Sequence, residues 1–167
     1  MLKEMNRRYT KEQYLNLVEK MKQNIPNVTF STDIIVGFPG ETEDEFEDTL
    51  DVVRKVNFEQ IFMFIYSRRR GTVADTMENQ VPEEVKHTRF DRLKELFESR
   101  LSENNQKYVG TKQMVLVEGK SKNNTEKYTG RTDSNKVVNF SASENLEGKM
   151  VEVEIKAEHT WYLEGEL

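Results

Sequence analysis

Residues 31–46, STDIIVGFPGETEDEF, run from an apolar segment through a glycine-proline-glycine turn into an acidic stretch. The apolar part, 28–36, is β-branched without clean alternation, which predicts a strand covered on both faces, as in a parallel sheet. Beyond the turn, Thr42 followed by Glu45 is a capping box, and Phe46, Leu50, Val53 and Val56 then recur at helical spacing. A strand closed by a glycine turn and feeding a helix opens a βαβ unit. Upstream, Thr10 and Gln13 form another capping box, Tyr14, Val18, Met21 and Ile25 share one face, and Pro26 stops the helix. Downstream, QIFMFIYS at 60–67 reads as a second buried strand. Val81-Pro82-Glu83-Glu84 then opens a third helix with Phe90, Leu93, Phe97 and Leu101 as its apolar face.

Around 107–110 the period changes from helical to twofold. QMVLVEG, YTGRT, KVVNF, MVEVEIKAE and TWYLEG are short strand-like pieces separated by Gly, Asn, Ser and Asp, and GKSKNNTEK at 119–127 is a polar loop. The expected organisation is α/β over 1–105 followed by all-β over 106–167, the latter a small OB-like β-barrel. Two parallel strands and three helices cannot enclose a core when each strand is patterned for burial on both faces. The first part therefore reads as the end of an incomplete parallel (βα) barrel whose earlier strands are left off.

Composition narrows the function. The chain has 167 residues, 35% hydrophobic and 33% charged, with a net charge of −5. That balance excludes a uniformly basic nucleic-acid sleeve, while leaving room for a local phosphate-binding patch. No apolar run reaches the ~20 residues of a membrane span, and MLKEMNRRYT lacks the apolar core of a signal peptide, so the expectation is a cytoplasmic protein with no membrane partner. Cysteine is absent and only His87 and His159 are present, so no thiolate-held cluster or Cys/His zinc site forms from these residues alone. No metal site and no catalytic residue is expected in this chain.

In parallel barrels and open sheets ligands sit at the C-terminal ends of strands, which places GFPGE and YSRRRGT on the functional rim. Gly37 and Gly40 let the backbone approach a ligand and offer N–H groups to it, or else form an ordinary βα turn. The turn is not a Walker loop, for no Lys-Ser/Thr pair follows at the required spacing. SRRRG at 67–71 is a phosphate contact or a solvated loop. Glu41 and Asp44 read as first-turn cap and dipole residues without a catalytic role. His87 and His159 read as ordinary helix and strand residues. Within 106–167, Lys120, Lys122, Lys127, Arg131 and Lys136 crowd the middle while Glu144, Glu147, Glu152, Glu154, Glu158, Glu164 and Glu166 crowd the end, a polarity suited to orienting an RNA backbone. Trp161, Tyr162 and Phe140 are base-stacking candidates or core residues.

LKEMNRRYT, STDIIVGFPGETEDEFEDTL, FMFIYSRRRGT, NQVPEEVK and GRTDSNKVVNF, in this order, resemble the C-terminal part of the radical-SAM tRNA methylthiotransferases. The resemblance covers the whole chain and makes residues 106–167 similar to a TRAM domain, the small β-barrel by which that family is thought to hold tRNA. GRTDSNKVVNF favours the tRNA enzymes over the related ribosomal-protein methylthiotransferases.

The resemblance implies a reaction in which S-adenosylmethionine is cleaved on one iron-sulfur cluster and a methylthio group is installed at C2 of N6-isopentenyladenosine, just 3′ of the anticodon. It also implies that Ile35, Val36 and Gly37, with Tyr66 and Ser67, contact the adenosyl part of the cofactor. Lys120, Lys122, Lys127, Arg131 and Lys136, with Asn135 and Phe140, would face the tRNA anticodon arm. Arg68 and Val73 stand where the family's YSPR-GTPA pattern carries proline, a departure that bears on the loop's conformation. The family's cluster ligands, three cysteines in an N-terminal domain and a CxxxCxxC on the barrel, have no counterpart here. Two 4Fe–4S clusters and S-adenosylmethionine are thus expected of the parent enzyme, with no cofactor bound to this chain alone. Expected partners are tRNA and the missing N-terminal portion of the same enzyme, together with self-association through exposed sheet edges. The alternative reading is a free-standing RNA-binding module without catalysis.

Overall fold

Thr10 and Thr42 each start a helix by the same reciprocal pair of bonds. In α1 (Lys11–Asn24) the Gln13 N–H donates to Thr10 Oγ1 at 3.2 Å and the Thr10 N–H donates to Gln13 Oε1 at 2.9 Å. In α2 (Glu43–Val56) Thr42 and Glu45 do likewise, at 3.2 and 3.1 Å, and Asn57 ends the helix in the left-handed region. These elements belong to a computed structural model that describes residues 1–122 and 124–167 and divides into two units, Met1–Phe97 and Glu98–Leu167.

In the first unit β1 (Ser31–Val36) and β2 (Gln60–Ile65) pair in parallel, from Ser31 opposite Gln60 to Val36 opposite Ile65. Phe46, Leu50, Val53 and Val56 of α2 are all buried, as their spacing requires. The sheet differs from its sequence reading. Val36 and Ile61 are buried, but Ile35, Phe62 and Phe64 are 38%, 49% and 51% exposed. Cross-strand partners Ile35 and Phe64 share that open face. An apolar run without alternation is written for two covered faces, and the described residues cover only one.

A short α3 (Val73–Thr76) begins at Thr72, whose hydroxyl accepts the Asp75 N–H; the sequence did not announce it. The expected third long helix is α4 (Glu83–Gln106), which contributes residues to both units. Leu93, Phe97 and Leu101 are buried, while Phe90 is half-buried.

The second unit is a closed five-stranded barrel of β3 (Lys112–Lys120), β4 (Lys127–Arg131), β5 (Val137–Ser141), β6 (Met150–Glu158) and β7 (Leu163–Glu166). The order around it is β3-β4-β5-β7-β6, with β5 and β7 parallel and the other pairs antiparallel. Period-two alternation turns Val115, Val117, Val138, Phe140, Val153 and Ile155 inward, each at most 1% exposed. At Gly130 a Cβ would stand 2.5 Å from Val115 Cγ1, so β4 crosses β3 at a distance only glycine permits. Among the described residues, closure leaves no free strand edge here, unlike in the first unit. Two boundaries shift from the sequence reading: Trp161 and Tyr162 precede β7, and His159 lies in the β6–β7 connection. The polar loop expected at 119–127 narrows to 121–126, of which residue 123 lies outside the described residues. Among the described residues no helix is long and apolar enough to cross a membrane.

Candidate functional site

The glycine turn after β1 is braced from within. Gly37 has φ +74°, and the Cβ it lacks would run into the stem of Lys86 from α4. Lys86 is 3% exposed; its ammonium donates to the Tyr66 carbonyl at 3.3 Å and to Glu83 Oε1 at 2.6 Å, and lies 5.4 Å from the Tyr66 ring centroid. This one side chain ties the C-terminal end of β1 to the residue after β2 and to the first turn of α4. The Gly37 N–H donates to Glu41 Oε2 at 2.8 Å, so that amide, expected to be offered to a ligand, is already used.

Glu41 also departs from its expected role. It precedes the Thr42 cap instead of lying in the first helical turn, and it is buried. Arg89 Nη1 donates to its Oε2 at 2.8 Å and to its carbonyl at 3.0 Å, giving a buried ion pair. Burial pushes the Glu41 carboxyl above the ordinary range, with the Gly37 N–H and the Arg89 guanidinium pulling the other way. Asp44, exposed on the first turn of α2, is the dipole residue its position suggested.

Of the expected rim residues, Ile35 and Ser67 are exposed, whereas Val36, Gly37 and Tyr66 are buried. The Tyr66 N–H donates to the Val36 carbonyl at 2.9 Å, aligning the two strand ends. Phe38 meets the Tyr66 ring edge-on at 5.3 Å, and Tyr66 Oη is buried without a hydrogen-bond partner in the structure. Ile35 also lines a groove of about 780 Å³ that includes Tyr9, Tyr14, Asp33 and Phe58. Val36, Gly37, Tyr66 and Ser67 do not line that groove, whose walls also carry Arg7, Arg8 and Asp48. A cluster does not fit: the sequence has no cysteine, and among the described residues no group of His, Asp and Glu is placed to hold a metal.

Arg68 folds back onto α3, donating from Nε to Asp75 Oδ1 at 3.0 Å and from Nη2 to the Asp75 carbonyl at 2.5 Å. These two bonds, together with the Thr72 cap, fix the loop in which proline was expected. Arg69 and Arg70 are exposed.

In the barrel the residues expected to face RNA separate into two groups. Lys120 and Lys122 are exposed, and the Lys120 ammonium stands 3.8 Å from the Tyr128 ring centroid. Arg131 is half-exposed, donating to Glu118 at 3.0 Å and to Asn135 Oδ1 at 3.1 Å, so the expected neighbour Asn135 does meet it. Lys127 is ion-paired with Glu164. Lys136 and Phe140 require correction as surface contacts. Lys136 is 7% exposed and donates to Asn105 Oδ1 at 2.7 Å, and Phe140 is fully buried against Tyr128, with ring centroids 6.2 Å apart. The first is drawn inward by an α4 amide and the second by the alternation of β5.

The expected polarity of charge is crossed at Lys127 in three dimensions. Closure brings Glu164 of β7 to Lys127 of β4 and pairs Lys112 with Glu152 across β3 and β6. Lys127, and secondarily His159, hold the Glu164 carboxyl below the ordinary range. His159 is stacked on Tyr162 at 4.3 Å, while Trp161 is 54% exposed. Lys86, Arg89 and Asn105 were missed in the sequence; buried polar side chains at regular helical positions leave no local signal.

Comparison with known proteins matches residues 1–53 to the Radical SAM superfamily and residues 106–167 to the TRAM domain. The chain is 55% identical over 166 residues to a protein of Acetivibrio thermocellus named tRNA-2-methylthio-N(6)-dimethylallyladenosine synthase, covering 99% of this chain and 35% of that protein. Proteins of the same name from Clostridium beijerinckii and Caldicellulosiruptor saccharolyticus are 52% and 54% identical, again over 99% of this chain and 36% and 35% of theirs. The chain thus spans about a third of the length of these relatives.

Proposed function

We propose, from the premise that this chain joins a Radical SAM superfamily segment to a TRAM domain, that it is part of a tRNA methylthiotransferase. The substrate would be N6-isopentenyladenosine next to the anticodon and the product its 2-methylthio derivative. The observation that carries this reading is the continuous similarity, over 99% of the chain, to proteins named for that activity. On this reading residues 1–105 supply one side of a cofactor rim and 106–167 hold tRNA.

S-adenosylmethionine, when bound, supplies the radical chemistry. This chain's part is to hold and shape: Ile35, Val36, Gly37, Tyr66 and Ser67 line the adenosyl side, with Lys86 and the Glu41–Arg89 pair fixing their backbone. Thiolates for the two 4Fe–4S clusters come from outside these 167 residues. The open face of Ile35, Phe62 and Phe64 is covered by further barrel strands of the same enzyme, and alone it favours self-association. Lys120, Lys122, Lys127, Arg131 and Asn135 meet the phosphates of the anticodon arm, supported from behind by Lys136 and Phe140. The place of action is the cytoplasm, where its tRNA substrate is found. A free-standing RNA-binding module accounts for the barrel but leaves the open apolar sheet face without a purpose.

The test is a chimera in which these 167 residues replace the matching segment of the Acetivibrio thermocellus relative, in cells lacking the 2-methylthio modification. Mass spectrometry of tRNA nucleosides should reveal 2-methylthio-N6-isopentenyladenosine. A well-expressed, folded chimera that holds its clusters yet leaves the nucleoside unmethylthiolated would contradict the assignment.

A further inference from the structure

The connection between β6 and β7 is a tight hairpin tip with an unusual amount of buried support. Its base is closed by the His159 N–H donating to the Tyr162 carbonyl at 2.9 Å and by the two rings stacked at 4.3 Å with 20° between planes. Thr160 and Trp161 form the tip. From the last turn of α4, Asn105, 1% exposed, donates from Nδ2 to the carbonyls of His159 at 2.7 Å and Thr160 at 3.1 Å. Its Oδ1 accepts from Lys136 Nζ at 2.7 Å. A lysine ammonium only donates, so this contact fixes which way the Asn105 amide points and leaves the NH₂ aimed at the tip. The backbone carrying Trp161 is thereby held by buried polar groups from two other parts of the unit.

What the support presents is an indole that is 54% exposed. A large aromatic left half in water on a rigid mount is a preorganised contact surface. Resting on the reading of this unit as the tRNA-holding domain, we propose that Trp161 is a stacking platform for one unpaired RNA base. An unpaired base fits because bases inside a duplex already have both faces covered, whereas splayed bases in loops stack on aromatic side chains. The site is tolerant of base identity, since every base has a π-face. It adds to the phosphate contacts of Lys120, Lys122 and Arg131 a term that does not depend on salt.

Trp161 is the single tryptophan of the chain, so intrinsic fluorescence reports on it directly. The whole chain is titrated with an RNA hairpin that carries an unpaired loop, and separately with a blunt duplex of the same stem. The hairpin should quench the emission to saturation and the duplex should not. Trp161→Ala should weaken hairpin binding by roughly 5- to 150-fold with the salt slope unchanged, and Trp161→Phe should retain most of the affinity. Unchanged emission on hairpin binding, with Trp161→Ala binding as tightly as wild type, overturns the stacking site and leaves the RNA-holding reading intact. Absence of hairpin binding by the wild type overturns both.

Discussion

Gly37 and Lys86, far apart in sequence, occupy one site: the aliphatic stem of the lysine fills the space that any side chain at Gly37 would need. The glycine is required twice over, by its φ of +74° and by that stem. Gly37→Ala should destabilise the first unit by about 1–3 kcal/mol, the range for a non-glycine residue forced into the left-handed region. Adding Lys86→Ala removes the collision but not the backbone strain, so the double variant should lose less than the sum of the single losses. Urea denaturation followed by circular dichroism measures both; full additivity would mean that the two residues are uncoupled.

The Glu41–Arg89 pair gives a pH-dependent test. Arg89→Met leaves a buried carboxylate without its cation, at a cost of about 3–5 kcal/mol at neutral pH. The folded Glu41 carboxyl already titrates above its ordinary value because of burial, and loss of Arg89 raises it further. A raised carboxyl favours folding when protonated, and that contribution is lost as pH rises through the folded value. The deficit of Arg89→Met should therefore be largest near neutrality and shrink on acidification relative to wild type. Stability curves for both proteins across that range check the sign.

Lys136 and Lys120 look alike in the sequence but should behave differently. Lys136→Ala deletes the donor that orients Asn105 and should cost about 1–3 kcal/mol in the barrel. Lys120→Ala removes an exposed cation–π contact with Tyr128 and should cost no more than about 0.5–1 kcal/mol. Thermal unfolding of the two variants decides, and equal losses would remove the structural role of Lys136.

Features governed by near neighbours were legible from the start. Thr10 with Gln13 and Thr42 with Glu45 start helices through contacts three residues apart, and the barrel strands follow from alternation; Phe140, two residues from Val138, was readable as inward by that rule. The rim's bracing was not, because Gly37 meets Lys86 and Glu41 meets Arg89 only once α4 has packed on the turn. The apparent separation of bases from acids is crossed at Lys127 for the same reason: order along the chain became adjacency when β7 returned beside β5. The open sheet face was foreseen as a missing partner, but which side chains it exposes required the register of β1 and β2.

Lys127 holds Glu164 below its ordinary value of about 4.5, so the bond stabilises the barrel above that pH and the contribution is lost as pH falls through the folded value. Both side chains are partly exposed, so the effect is modest. Glu164→Gln should flatten the acid limb of the barrel's stability curve, most visibly at low ionic strength. An unaltered acid limb would show that solvent screening leaves the pair without influence.

The most direct test of the central claim, that the barrel holds tRNA through its exposed bases, is a titration of labelled tRNA anticodon arm at several salt concentrations with wild type and with Lys120→Ala/Arg131→Ala. Wild-type affinity should fall steeply with salt, and the double variant should bind more weakly with a slope lower by about 0.9 per lost phosphate contact. Superimposable curves at every salt concentration, or no binding by wild type even at low salt, would contradict the claim.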